Sequence, residues 1–518
     1  MSACSPPTAL DYRHANNAVG AVMRLFLRFV VGAAGAAPLL AGAATYTWTG
    51  LGSSSNWQEL TNWNPTTGYA GASPADVGIL PASSQNYAPI INGPITLTTV
   101  QFDSQAYVVS VTSSAIIMGG ITGSQPGTMA VSSTGILTFA NSASAGAAPI
   151  TVAAQGHVNF LDMSTAGTAA ISVNGILKFF STSSGANAQV SLAGGTLDVS
   201  GQTAPLSIGT LFDTAAQPGT VNLGNTALSL GNLNTTNTIY GAISGNGSLT
   251  KIGTGVLTLE ADNTYTGTTL VQGGVLNIAG SQPGIFSVTN AATLAFTDVA
   301  SAGASTITVA QPSFISLGSI PLSLGNLGLN DAIFGTIMGN ASLTKIGTGT
   351  LTLSGANTYV GTTIVQGGTL NLEGSQPGNV TVNANTTLGG GGSVGAVSNS
   401  GILRPGGSSS DHLTLSTLSC AAKSTVTLSL DSATYLHIKN TLQASACPVL
   451  DITAQTSQSL VSGAQYVLAS LDNGSDFTPA NVQVHLNAAV TQVHVEPNAI
   501  VLQVYTASDY VFANGFDG

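Results

Sequence analysis

Charge is nearly missing from this sequence: Lys, Arg, Asp and Glu make up 6% of its 518 residues, against about 25% in an average soluble domain. Beyond residue 44 the basic residues are Lys178, Lys251, Lys345, Arg404, Lys423 and Lys439, set against all but one of the 20 acids. So few cations cannot neutralise a phosphate backbone, which excludes a nucleic-acid partner. The same deficit excludes docking on an anionic membrane surface. Long apolar runs are also missing after residue 44, so no helical membrane span is expected there. There is no Walker loop and no G-x-G-x-x-G after a strand. The run Gly389-Gly390-Gly391-Gly392 reads as a turn rather than a phosphate cradle. No cofactor is expected. Disorder is excluded too, because 43% of the residues are hydrophobic and the mean hydropathy is positive.

What is present begins with a leader. Residues 23–44 read MRLFLRFVVGAAGAAPLLAGAA. Arg24 and Arg28 form a positive start, Phe29 to Leu40 is apolar, and Ala41-Gly42-Ala43-Ala44 offers a small-residue cleavage site. The segment 1–44 therefore reads as a leader with a signal peptide at 23–44, and the protein as exported across the inner membrane. The true start, Met1 or Met23, stays open. Cleavage discards Cys4 and leaves Cys420 and Cys447, an even pair in an oxidising compartment, so a disulfide between them is expected.

Glycine is abundant, 63 residues, and it punctuates short apolar runs. Gly135, Gly156, Gly175 and Gly195 each precede an alternating stretch (ILTFA, HVNFL, ILKFF, TLDVS) at intervals of about 20 residues. Period-two alternation puts Leu137 with Phe139, Val158 with Phe160, and Leu177 with Phe179 on one face of each strand. A strand unit repeated at that interval suits one coil of a solenoid. A longer repeat overlies it. Residues 248–284 and 342–378 match without a gap, from Lys251 to Lys345 is 94 residues, and LSLGNL at 228–233 recurs at 322–327. The expected fold is all-β, a right-handed parallel β-helix over 45–410, with duplicated repeats at 225–284 and 319–378. Residues 411–518 are expected to add terminal coils and a small β-cap. A hairpin-built sandwich or barrel is the alternative, although most turns lack the two-residue chemistry it needs.

The two copies resemble the autotransporter-associated β-strand repeat, also called the passenger-associated transport repeat. The resemblance rests on Leu249-Thr250-Lys251, Asn263, Thr264, Tyr265 and Gly267, and again on Leu343-Thr344-Lys345, Asn357, Thr358, Tyr359 and Gly361. The opening stretch with Trp48, Trp57 and Trp63, and GILRPGG at 401–407, agree more loosely with the same family. This resemblance implies a bacterial, adhesin-like passenger, secreted or on the cell surface, with glycans or other cell-surface components as candidate partners. Members often end in an outer-membrane barrel; the residues after Gly407 lack the amphipathic strands for one, so no barrel of its own is expected.

Solenoid enzymes acting on polysaccharides need clustered carboxylates. Here Asp162, Asp198, Asp213, Glu260, Asp262 and Asp298 fall at unrelated phases, and no Ser–His–Asp order stands out. No catalytic residue is assigned, although a polysaccharide lyase or hydrolase remains the alternative function. Lys251 and Lys345 are expected to be solvated, and Tyr265 and Tyr359 to pack over corners of the coil. His485, His494 and Glu496 lie in one alternating stretch that could fold as a hairpin, but two histidines make a poor site and no metal is assigned. His157, His412 and His437 show no partner in the sequence.

Overall fold

The computed structural model describes residues 43–505 apart from 298–305, 320, 326–327, 409, 458–459, 462 and 487–489. The leader up to residue 42 and Asp298 lie outside the described residues. From Thr45 the chain winds as a parallel β-solenoid whose strands are mostly three to nine residues long.

Each strand bonds to the strand one turn before and one turn after it. Leu137, Val158, Leu177 and Leu197 stand in register in four successive turns. Parallel pairing of this kind needs a long connection between neighbours, and here the rest of the turn supplies it. A hairpin-built sandwich is therefore not what forms. From Leu322 onward the path is easily followed. Leu322–Leu324 lies on an 11-stranded sheet, Asp331–Ile333 on a 14-stranded one, Thr336–Gly339 on a six-stranded one, and Leu343–Lys345 returns to the first. Three faces are visited in this turn, whereas Leu343–Lys345, Thr350–Leu353, Thr363–Val365 and Thr369–Leu372 alternate between the 11- and 14-stranded sheets.

Alternation along each strand fills the interior. Phe139, Phe160 and Phe179 are fully buried and stack turn on turn, with ring centroids 4.8 and 5.0 Å apart and planes tilted by 7° and 11°. The stacking distance is set by the inter-strand spacing of about 4.8 Å, so identical residues in register pack face to face.

Antiparallel pairing, among the described strands, is confined to the two ends. At the start, Trp63–Asn64 runs back along Thr45–Trp48. Trp48, Trp57 and Trp63 close the core there, with ring centroids 4.7 to 6.1 Å apart. Each indole N–H is satisfied by a carbonyl, those of Asn86, Ala70 and Trp57 respectively. At the far end Gln465–Leu471 pairs with Ala499–Tyr505, which pairs in turn with Val490–Glu496. A stack of parallel strands would otherwise end on a row of open backbone groups.

Candidate functional site

The repeat motif is the first place to look, and the structure turns it inward. Lys251 and Lys345 are 1% and 0% exposed, which corrects the expectation of a solvated lysine. The Lys251 ammonium donates to the carbonyls of Ile252 (2.8 Å), Gly253 (3.0 Å) and, one turn on, Gly273 (3.1 Å). Lys345 repeats this with Ile346 (2.6 Å), Gly347 (3.0 Å) and Gly367 (3.2 Å). An ammonium has three N–H groups and no acceptor, so three corner carbonyls that no strand can reach use it completely. Burial pushes both lysine pKa values below their usual range.

Asn263 and Asn357 work the same way in the opposite polarity. Asn263 Oδ1 accepts from the Ile243 amide (2.9 Å), and its own backbone N–H donates to the Ser281 carbonyl (2.9 Å). Asn357 Oδ1 accepts from Ile337 N–H (2.9 Å), and its N–H donates to Ser375 (2.8 Å). Each Asn thus staples the turns before and after its own. Tyr265 and Tyr359 are 0% exposed rather than draped over corners. Their hydroxyls pair with Thr269 Oγ1 (2.7 Å) and Thr363 Oγ1 (2.5 Å), and burial raises both phenol pKa values far above normal. Gly267 and Gly361 sit where a Cβ would come within 2.2 Å of the carbonyl oxygens of Gly247 and Ala341. No other residue fits beneath that backbone.

The two copies do not share a face. Leu249–Lys251 lies on the 14-stranded sheet, which then advances through Thr269–Val271, Ile285–Val288, Thr306–Val309 and Asp331–Ile333. Leu343–Lys345 comes two faces later, on the 11-stranded sheet. The 94-residue offset is thus about four and two-thirds turns, and the second copy is rotated by one face. A motif that met an outside ligand would need a constant face; one that secures corners does not.

Three of the acids that might have formed an active site are likewise committed to backbone. Buried Asp213 accepts from the amides of Gly219 (2.8 Å), Tyr240 (2.6 Å) and Gly241 (3.0 Å). Asp162 accepts from Asn141 N–H (3.0 Å) one turn away, Asp262 from Ser281 N–H (2.8 Å), and Asp198 pairs with Lys178 at 3.3 Å. Among the described residues no three His, Cys, Asp or Glu side chains converge on a metal position. The stretch 482–496 does not fold on itself. Val482–His485 extends the 14-stranded sheet, and Val490–Glu496 joins the terminal antiparallel strands, so His485 and His494 part company. His485 Nε2 instead meets Asp451 Oδ1 at 3.0 Å.

Outward-facing chemistry gathers in the C-terminal coils. His412 stacks on Tyr435 one turn below (4.8 Å), lies 5.7 Å from His437 between ring centroids, and holds Asp411 Oδ1 at 2.8 Å through Nδ1. His437 contacts Ser470 Oγ through Nδ1 (2.9 Å) and Asp472 Oδ2 through Nε2 (3.4 Å). That is a serine, histidine and aspartate in sequence-distant contact, which no spacing in the chain announced. Ser470 lies between His437 on one side and Ala499 on the other within the sheet, so its amide serves the ladder and is not free to stabilise an oxyanion. In the same region Cys420 and Cys447 are joined, with an S–S distance of 2.01 Å. A cavity of about 420 Å³ opens beside Arg404, lined also by Asp411, Thr427, Ser432 and Gln455.

The passenger-associated-transport-repeat model matches residues 249–278 and 343–372. The chain carries two passenger-associated transport repeats. They contain the Lys, Asn, Tyr and Gly positions whose inward roles are described above. Over 188 residues (35% of the chain) it is 32% identical to the adhesin BmaC autotransporter of Brucella suis biovar 1 (strain 1330). Over 72 residues (14% of the chain) it is 47% identical to an extracellular serine protease of Serratia marcescens. The matches span 5% and 7% of those two relatives. The crystal structure of the Haemophilus influenzae Hap adhesin aligns over 86% of this chain and 65% of its own, at 12% identity and a TM-score of 0.32. With these repeats and relatives, the protein is secreted or displayed at the cell surface.

Proposed function

We propose that this protein is a non-catalytic, adhesin-like passenger that makes weak, repeated contacts through its outer faces. The observation that carries the reading is the direction of its polar groups. In the repeats Lys, Asn and Tyr face backbone and core, and four of the named acids, Asp162, Asp198, Asp213 and Asp262, are held by backbone amides or by Lys178. What faces outward is a surface rich in Ser, Thr and Asn, which suits many shallow contacts with glycans or other cell-surface components. The similarity to an autotransporter adhesin supports the same reading.

The test is attachment of the exported full chain to host or bacterial cells and to a glycan array, with a turnover assay on polysaccharides alongside. Attachment without turnover is expected; turnover abolished by changing one acidic residue would overturn the reading. A hydrolase reading has one observation in its favour, the contact of His437 with both Ser470 and Asp472. Labelling by a fluorophosphonate probe, lost in Ser470→Ala, would establish that reading.

A further inference from the structure

The cavity at Arg404 contains the one arginine among the described residues, and that arginine is unengaged. Its guanidinium makes no hydrogen bond or ion pair with any described residue, and the side chains of Thr427 and Gln455 on the same walls are equally free. Here donors and acceptors are left open together around about 420 Å³, a volume within the range of small-ligand sites. Asp411, also in the lining, already has Oδ1 2.8 Å from His412 Nδ1, which leaves Oδ2 as an acceptor.

We infer that this cavity binds a single carboxylated sugar unit. Such a cavity site rests on the surface-contact reading above and gives it a location. A guanidinium offers a planar fork of N–H donors that matches a carboxylate bidentately, and among the described residues it is the only cation lining the cavity. The remaining walls, Thr427, Gln455, Ser432 and the open oxygen of Asp411, present the mixed donors and acceptors that sugar hydroxyls require. Among the described residues the lining holds no aromatic ring, so stacking of an apolar sugar face is not the means of recognition proposed.

The experiment measures binding of the full chain to sialyllactose and to trigalacturonate, with lactose and maltotriose as neutral counterparts. One of the two acidic probes should bind, the neutral ones at least about tenfold more weakly, and the acidic binding should weaken with salt. Binding by sialyllactose alone would identify a terminal acidic sugar, and binding by trigalacturonate alone an in-chain uronate. Arg404→Ala should weaken the acidic interaction about tenfold or more, and Arg404→Lys should retain part of it, as a point charge without the fork. Gln455→Ala, elsewhere in the lining, should weaken it a few-fold with Arg404 intact, which guards against a folding defect in any one variant. Equal binding of acidic and neutral probes, no binding of either acidic probe, or binding indifferent to Arg404→Ala would each overturn the inference. If cell attachment persists while the Arg404 variants change nothing, the cavity assignment falls alone; if attachment is also absent, the surface-contact reading falls with it.

Discussion

The repeats around Lys251 and Lys345 and the coils from Ile402 to Leu471 are built on the same parallel ladder, yet they dispose of polarity in opposite ways. In the repeats the ammonium, amide and phenol groups turn inward and are consumed by backbone or by a buried threonine. In the C-terminal coils imidazoles, carboxylates and a guanidinium stand outside, paired with one another or open to solvent. A turn of about 20 residues has short corners whose carbonyls fall outside the ladder, and a recurring side chain is an economical way to satisfy them. The later turns are longer, with His437 and Ser470, which are neighbours in the sheet, 33 residues apart. Their extra chain forms loops, and loops are where recognition is usually placed. The motif that identifies the family is therefore architectural, and the candidate contact site lies outside it.

The largest effects should come from the links that are present once only. Removing the Cys420–Cys447 bridge, which closes 27 residues of sequence, should cost roughly 3–4 kcal/mol in the loop-entropy model. The loss should be local. Hydrogen exchange on the Cys420→Ser/Cys447→Ser double variant should show protection falling in the coils beyond Ile402 and remaining unchanged around Lys251. A uniform loss along the chain would mean that the two regions are not separate units of stability.

Replacing Lys251 or Lys345 by Met keeps the apolar stem and deletes the ammonium, leaving three buried carbonyls each without a donor. Each change should destabilise its own turns by about 3 kcal/mol. Since the copies lie on different faces, 94 residues apart, the double variant should be additive within about 0.5 kcal/mol. Denaturant melts of the single and double variants check both numbers. A Lys→Met variant as stable as the parent would show that water, not the ammonium, serves those carbonyls. Smaller again is Tyr265→Phe, which deletes one buried hydroxyl and leaves Thr269 Oγ1 without that partner. About 1 kcal/mol is expected, with the same change at Tyr359 costing somewhat less, because Thr363 there keeps Gln376 as a partner.

Much of this fold can be read from the chain. Glycine-spaced alternating runs such as those before Phe139, Phe160 and Phe179 carry the period of the coil directly, and their stacking follows from it. The burial of Lys251 and Lys345 is harder to read, because lysine is rarely buried. The signal available was the glycine two residues later, whose positive φ (+69° at Gly253, +70° at Gly347) turns a carbonyl toward the ammonium. The contacts of His437 with Ser470 and Asp472 had no signal at all. They depend on the length of one loop and on a register that shifts between Val467 and Ala469, and neither has a period. The rotation of the second repeat by one face was hidden for the same reason: 94 residues look like a simple translation until the turns between are counted.

The smallest expected effect tests whether the inward device of the repeats has a counterpart elsewhere with the charge reversed. Near the start of the chain the Glu59 carboxylate gathers the Ser54 hydroxyl (2.5 Å) and the amides of Ser53 (2.6 Å) and Ser54 (2.9 Å), along with the hydroxyls of Ser53 and Thr61 (3.0 Å each). Unlike the lysines it does so in the open. The Ser54 hydroxyl and the Ser53 amide are the main reasons its pKa falls from 4.5 to about 2. A carboxylate whose folded pKa lies below its unfolded one contributes stability above the unfolded value and loses it as pH falls through the folded one. The ordering of Ser53 and Ser54 about the carboxylate should therefore be complete above pH 4.5 and fade toward pH 2. Being exposed, it should fade without disturbing the coils below. Amide exchange at Ser53 and Ser54 across that range reads it, and Glu59→Gln should show weak protection that no longer depends on pH. If both proteins lose protection in parallel, the carboxylate is not the group responsible. If the tryptophan-sealed core loosens at the same pH, the loop belongs to the end cap rather than to the surface.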